Sequence, residues 1–489
     1  MRNDANFLTA FSLQPIHLRP MGRWWIGCRH KTYLSLLLCL VMPMPAVAEV
    51  KPHALFSDGA VLQRGCVVPV WGRAGDGEKV TVKFAGQTVS AVASNGQWMV
   101  WLRSMPANAV PRTMTISGAN TVEIKNLLVG DVWVCSGQSN MQFEMHWLTD
   151  STNQIARAND PLLRLLGVPQ GGATRPNSDI TASWSECTSN SVEWFSAVAY
   201  FFGRDVRQSQ KVPVGLICSR VGGTAAENWL SWRALAANPK LQHIAGKQPV
   251  EGGPSFLYNA MIAPLQPFAI RGVIWYQGES NAYDVPRATA YRELFPTLIK
   301  CWRDEWGLPE LPFLFVQIAP HNDMVPEIRE SQLLTWQQTP KTAMAVITDC
   351  GHATDIHPKP KEPVGARLAL AARAVAYGER VEYSGPVFSE MKVRGDKATI
   401  AFTHVGGGLV AKDGALKGFT VAGSDSRFVP AEAVIAGKTV IVSSKEVAQP
   451  VAVRYGWANV PDVNLFNKDG LPATPFRTDC GRGVTEKHD

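Results

Sequence analysis

The sequence predicts an α/β protein: a mostly parallel sheet within residues 127–385, flanked by all-β modules at 49–126 and 386–489. Three observations carry this. Short apolar strands alternate with helical stretches through the centre of the chain. Both flanks show period-two alternation broken by turn residues, the pattern of half-buried strands. The chain has 489 residues, too many for one compact core, so two or three units are expected.

Residues 1–48 read as an export signal. Arg23, Arg29 and Lys31 form a basic flank, Tyr33 to Val41 an apolar run, and Ala46-Val47-Ala48 a small-residue cleavage site. The run is far shorter than the roughly 20 residues a spanning helix needs. The mature chain is therefore expected outside the cytoplasm, periplasmic or extracellular, without a membrane span. The signal needs nothing before Met21, so translation can begin there.

In the first β module, Val80, Val82 and Phe84 alternate with Lys79, Thr81 and Lys83. Asn95-Gly96 makes a turn before Trp98 to Leu102, and Met114, Ile116, Val122 and Ile124 repeat the alternation. The centre offers strands at 131–135, 163–168, 214–218, 272–276, 312–318 and 343–348. Between them lie helical stretches from Phe195 to Arg207, Ala288 to Trp306, Ile328 to Gln338 and Val364 to Tyr377. Short strands return at Thr399 to Phe402, Thr439 to Val442 and Val451 to Tyr455.

Composition excludes several classes. Apolar residues are 46% and charged residues 18%, so disorder is not expected. Residues 1–48 hold five Lys/Arg and one Asp, which leaves only +3 of the formal +7 on the mature chain. That is no nucleic-acid footprint. Two of nine cysteines, Cys28 and Cys39, leave with the signal. The other seven are widely spaced without a Cys-x-x-Cys pair, which argues against a zinc site or a dense disulfide framework. Cys135 reads as a buried small hydrophobe. Sixteen tryptophans serve core packing first and sugar stacking second.

Four segments at the ends of expected strands carry the chemistry. Cys135-Ser136-Gly137-Gln138-Ser139-Asn140-Met141 places Ser139 in a glycine-loosened turn after an apolar strand. There its Oγ can face a cleft at the carboxyl edge of the sheet, with backbone N–H groups free to hold an oxyanion. Ser219-Arg220-Val221-Gly222-Gly223-Thr224 brings paired glycines that allow close backbone approach, or simply a tight turn. Gln277-Gly278-Glu279-Ser280-Asn281 adds a carboxylate and an amide donor, Asn281, to the same edge. Asp355-Ile356-His357-Pro358 offers a base and a carboxylate to orient it. A rival reading makes His352, Asp355 and His357 metal ligands. It leaves the glycines and Asn281 without a role, so no metal or organic cofactor is expected.

These motifs, in this order, resemble the SGNH-hydrolase carbohydrate esterases, in particular the sialate O-acetylesterase family. The likeness extends to Leu55-Phe56-Ser57-Asp58-Gly59, Pro69-Val70-Trp71-Gly72 and Arg454-Tyr455-Gly456-Trp457, and covers most of 50–480. It implies a three-layer α/β/α SGNH domain with Ser139 as nucleophile and His357 as general base. The oxyanion would be held by the Ser139 N–H, by Gly222 or Gly223, and by Asn281. Many SGNH enzymes space acid and base as Asp-x-x-His, whereas here Asp355 lies two residues before His357. Asp355 is the favoured supporting carboxylate. Glu279, which resembles the acid of related acetylxylan esterases, is the alternative. Gln138, Gln277, Trp147 and Trp229 are the candidate substrate contacts. The resemblance implies an O-acetylated sugar or glycan as substrate, sialic acid esters first and acetylated xylan or xyloglucan second. A secreted carbohydrate-binding protein with an inactive centre is the reading from another class; it predicts loss of a motif residue, and all are present.

Overall fold

The computed structural model describes residues 49–479, so the expected export signal lies outside the described residues. Seven strands build the central sheet: β1 (Thr121–Gly137), β2 (Asp160–Gly167), β3 (Ser185–Cys187), β4 (Val214–Arg220), β5 (Gly272–Tyr276), β6 (Phe313–Val316) and β7 (Thr342–Ala345). Their spatial order is β3-β2-β4-β1-β5-β6-β7. All neighbours are parallel except β3, which pairs antiparallel with β2 at the edge. Strands β5 and β6 are apolar runs because both faces are covered, and every residue of β5, β6 and β7 is buried.

The strand order turns at β1. The chain first builds β2 and β4 on one side, then β5, β6 and β7 on the other. Ligands bind outside the carboxyl ends of strands at such a switch point. Helices α1 (Ser139–Gln142), α2 (Ala197–Gln210), α3 (Val285–Trp306), α4 (Glu327–Gln338) and α5 (Glu362–Val375) follow the strands, α2 packing with α5 and α3 with α4. Helices α2 and α3 start where the sequence supplies caps. Ser196 Oγ accepts the Ala199 N–H at 3.1 Å, and Asp284 Oδ1 accepts that of Arg287 at 2.8 Å. Gly307 ends α3 in the left-handed conformation.

The flanking modules differ in how they attach. β1 crosses the expected boundary at 126/127 without a break. Its first half pairs with 108–117 of the N-terminal module, and its second half lies fully buried in the central sheet. The N-terminal strands accordingly share one apolar core with the α/β centre, whereas the C-terminal strands enclose a core of their own. The C-terminal module docks on α4 through Arg477, whose guanidinium holds Glu330 with two 2.9 Å bonds. The six described cysteines are free, with Cys135 fully buried as expected. No helix among the described residues is long and apolar enough to cross a membrane.

One polar cluster locks the root of β1. Asp131, fully buried, accepts from Arg64 at 2.9 and 2.8 Å, Gln63 at 3.0 Å and the Tyr377 hydroxyl at 3.0 Å. Removing the carboxylate strands a partly buried guanidinium and two other donors, Gln63 and the Tyr377 hydroxyl. Asp131→Ala should lower the unfolding free energy by about 3 kcal/mol, read as a fall in the urea midpoint.

Candidate active site

Three strands deliver the first parts of the site to one edge. Gly137, the last residue of β1, lies opposite Arg220 of β4 and Tyr276 of β5. Its φ of +141° and the Tyr276 carbonyl, 2.1 Å from where a Cβ would stand, leave room only for glycine. Gln138 then donates its N–H to the Tyr276 carbonyl at 3.0 Å, and α1 begins at Ser139, which is half-buried. The 214–220 strand ends beside it, with the Val221 N–H on the Gly137 carbonyl at 3.2 Å.

Of the paired glycines, Gly222 is the neighbour of the serine: a Cβ there would stand 3.3 Å from Ser139 Cβ, whereas Gly223 has nothing within 4 Å. The Gly222 N–H donates to Gln142 Oε1 at 2.8 Å. A side-chain carbonyl from α1 thus occupies the donor that an oxyanion would claim. Asn281 is buried and held in one orientation. Its Oδ1 accepts from the Ala226 N–H at 3.0 Å and from Gln277 at 2.7 Å, so Nδ2 is the atom left to donate, and one of its hydrogens goes to Glu227 at 3.0 Å.

His357 sits at the far end of a long connection from β7, the opposite edge of this side of the sheet. Asn140 ties that loop back to the serine turn. Its Nδ2 donates to the Ile356 carbonyl at 2.9 Å and to Glu279 Oε1 at 2.6 Å, while its Oδ1 accepts from Lys361 Nζ at 2.5 Å. Asn140, Glu279 and Lys361 are all buried, and the ammonium also lies 4.7 Å over the Phe143 ring. Burial pushes the Glu279 carboxyl up, against the opposing bond from Asn140 and the charge of Lys361. Burial likewise pulls Lys361 down to about 7, against the pull of Glu279.

These contacts correct several expectations. Asp355 Oδ1 accepts the backbone N–H of His357 at 2.9 Å, so its hydrogen bond shapes the loop, and its influence on the ring is through charge. Glu279 is engaged with Asn140 beneath the nucleophile turn. Trp229 is fully buried, edge to face with Trp275 at 6.0 Å, and packs the core where a substrate contact was expected. Gln138 and Gln277 are also buried. The first accepts the Ser280 N–H at 3.1 Å; the second bonds the Thr224 carbonyl, Asn281 and the Tyr291 hydroxyl. They fix the loops against one another, which is a positioning role. Trp147 does face solvent. His352 Nδ1 caps its own loop at Asp355 N–H, 3.0 Å away, and among the described residues no three His, Cys, Asp or Glu side chains converge as metal ligands.

Sequence reasoning missed Lys361, Glu227 and the bridging part of Asn140. Asn140 stood inside the Gln-Ser-Asn-Met motif and could have been asked for a partner; a lone lysine before a helix carries no signal.

Comparison with known proteins identifies the family. Residues 129–373 match the family model described as carbohydrate esterase, sialic acid-specific acetylesterase. The sialate O-acetylesterase of Homo sapiens is 32% identical over 530 aligned positions, covering 92% of this chain and 98% of its own; that of Mus musculus is 30% identical, covering 83% and 90%. A carbohydrate acetylesterase from Xanthomonas citri superposes with a TM-score of 0.83 at 43% identity, covering 88% of this chain and 100% of its own. The protein is therefore a carbohydrate esterase, a hydrolase of ester bonds. It belongs to the sialic acid-specific acetylesterase family.

The electrostatics give a signed test. The His357 ring lies below the ordinary histidine value of 6.5, first because burial disfavours the imidazolium and next because Lys361 is cationic; Asp355 opposes this. A base must be neutral, so the acid limb of kcat/KM should fall below that ordinary value. Lys361→Met removes a lowering charge and should move the limb to higher pH. Asp355→Asn removes a raising charge and should move it to lower pH. Matching shifts in both variants, or none, would exclude this assignment.

Proposed function

We propose that the protein removes acetyl groups from sugar hydroxyls through a covalent Ser139 acetyl-enzyme. The observation that carries this reading is the Asn140 bridge, which places the residue after Ser139 against the residue before His357. Ser139 Oγ attacks the acetyl carbonyl while His357 takes its proton. The oxyanion displaces Gln142 from the Gly222 N–H and also receives the Ser139 N–H and the second Asn281 hydrogen. His357 gives its proton to the departing sugar alkoxide. Water, deprotonated by His357, then frees acetate and restores the serine. Asp355 favours the imidazolium by charge, and Glu279 with Lys361 holds the nucleophile turn in register. The two helix pairs around the parallel sheet support the three-layer SGNH arrangement for this domain.

The family description and the mammalian relatives favour O-acetylated sialic acid as substrate. The Xanthomonas citri protein is described as a carbohydrate acetylesterase, which supports the same chemistry on an acetylated carbohydrate, and acetylated xylan or xyloglucan is the second reading. The export signal expected in 1–48 would place this activity outside the cytoplasm.

Acetate release from O-acetylated sialic acid and from acetylated xylan tests both. Ser139→Ala should abolish release while leaving the thermal melt unchanged, and Asn281→Ala should lower kcat about 100-fold. Release that survives in Ser139→Ala would remove the serine from the mechanism. Serine-dependent release from xylan alone would select the second reading.

A further inference from the structure

Most tryptophans of this chain have a packing reason. Trp229, Trp275 and Trp302 meet edge to face at centroid distances of 6.0 and 5.9 Å, and none is exposed. Among the described residues three tryptophans differ: Trp194, Trp101 and Trp147 are 61%, 58% and 41% exposed, and of these Trp194 and Trp147 lie in the segments around the nucleophile turn while Trp101 lies on a strand of the N-terminal module. Keeping large aromatic surface in water is unfavourable unless something covers it in use.

Trp194 and Trp147 sit on a pair of segments that leaves the nucleophile turn. Residues 143–146 run beside 193–196. Glu144 bridges to Ser196, the Met145 N–H reaches the Phe195 carbonyl at 3.0 Å, and the His146 N–H reaches that of Glu193 at 3.2 Å. Three rings meet on the outside of this ribbon. His146 lies 4.3 Å from Trp194 and 5.3 Å from Trp147, and Trp147 closes on Phe143 at 5.5 Å. Phe143 is the residue whose N–H holds the Ser139 carbonyl at 2.8 Å. Beneath the rings, Arg220 extends from the end of β4 to the Trp194 carbonyl at 3.4 Å and to the Glu144 carboxylate at 3.5 Å. Its Nε is buried without a hydrogen-bond partner, and Gly222 follows two residues later. The segments that carry the rings are thus joined by short covalent spans to the Ser139 turn and to the Gly222 turn.

Resting on the esterase reading above, we infer that Trp194, His146 and Trp147 form a stacking subsite for a pyranose ring adjoining the sugar whose acetyl group meets Ser139. A pyranose has an apolar C–H face and a rim of hydroxyls. Exposed indole rings match the face, while the Arg220–Glu144 pair, with Arg220 also on the Trp194 carbonyl, holds the segment that presents them. An acyl chain would instead need an enclosed apolar channel. The substrate is accordingly an oligosaccharide or longer glycan, and a free acetylated monosaccharide leaves this surface uncovered.

The test uses the Ser139→Ala protein, which binds without turnover, titrated calorimetrically with unacetylated xylohexaose and with a sialylated trisaccharide. One of the two should bind saturably, and Trp194→Ala in that background should weaken it about tenfold, with Trp194→Phe restoring most of the affinity. The preferred sugar identifies the glycan source. In the active protein, Trp194→Ala should lower kcat/KM for the acetylated form of that glycan about tenfold relative to kcat/KM for p-nitrophenyl acetate, through KM. No binding of either sugar, affinity unaltered by Trp194→Ala, or an equal fall on both esters overturns the subsite. Trp194-dependent binding without acetate release from any glycan supports the subsite and rejects the esterase reading instead.

Discussion

The parallel registration of β4, β1 and β5 is the constraint on which the rest of the molecule depends. Gly137 is flanked by Arg220 on one side and Tyr276 on the other, so the three strands end at the same level. Parallel strands place their carboxyl ends on a common edge, and the change of winding direction at β1 opens a crevice there. Each chemical group then needs only the turn after its own strand. Gly137 makes the arrangement possible by fitting its backbone against the Tyr276 carbonyl, where a side chain would collide. The long β1 strand also transmits the registration to the N-terminal module, whose strands hydrogen-bond to its first half.

The histidine is the one group that this edge does not deliver directly, because β7 lies three positions from β1. A buried polar bridge closes the gap. Asn140 spends its amide hydrogens on Glu279 and Ile356 and its oxygen on Lys361, so the serine turn, the Glu279 loop and the histidine loop share one residue. Burying a carboxylate and an ammonium is costly unless each finds a partner. Here the compensation has a geometric by-product: the charges fix the amide orientation of Asn140, and the amide fixes two loops. After burial, the charge of Lys361 is the next influence that lowers the His357 ring below its ordinary value.

The two oxyanion candidates differ in how they are prepared. Asn281 is pinned through its oxygen by Ala226 and Gln277, a preorganised donor that costs no rearrangement during reaction. Gly222 holds the Gln142 carbonyl, so its N–H is satisfied until a ligand replaces that oxygen. The exposed aromatic cluster around His146 follows the same nucleophile turn in the chain.

Residue pattern alone determined the mixed α/β class and nominated the candidate reacting groups. Alternation every two residues marked Lys79–Phe84 as a half-buried strand, continuous apolar runs marked β4 and β5, and both agree with the structure. The candidates Ser139, Gly222 or Gly223, Asn281 and His357 could be nominated because their motifs recur after expected strands in one order. Partnership was not legible. Asp355 spends its oxygen on a backbone N–H, Glu279 serves Asn140, and Trp229 fills the core although it lies beside a glycine motif. Spacing along a chain fixes which groups are available locally. Which of them meet, and which are buried, depends on contacts between residues far apart in sequence, such as Asn140 and Lys361, and these exist only once the sheet has registered.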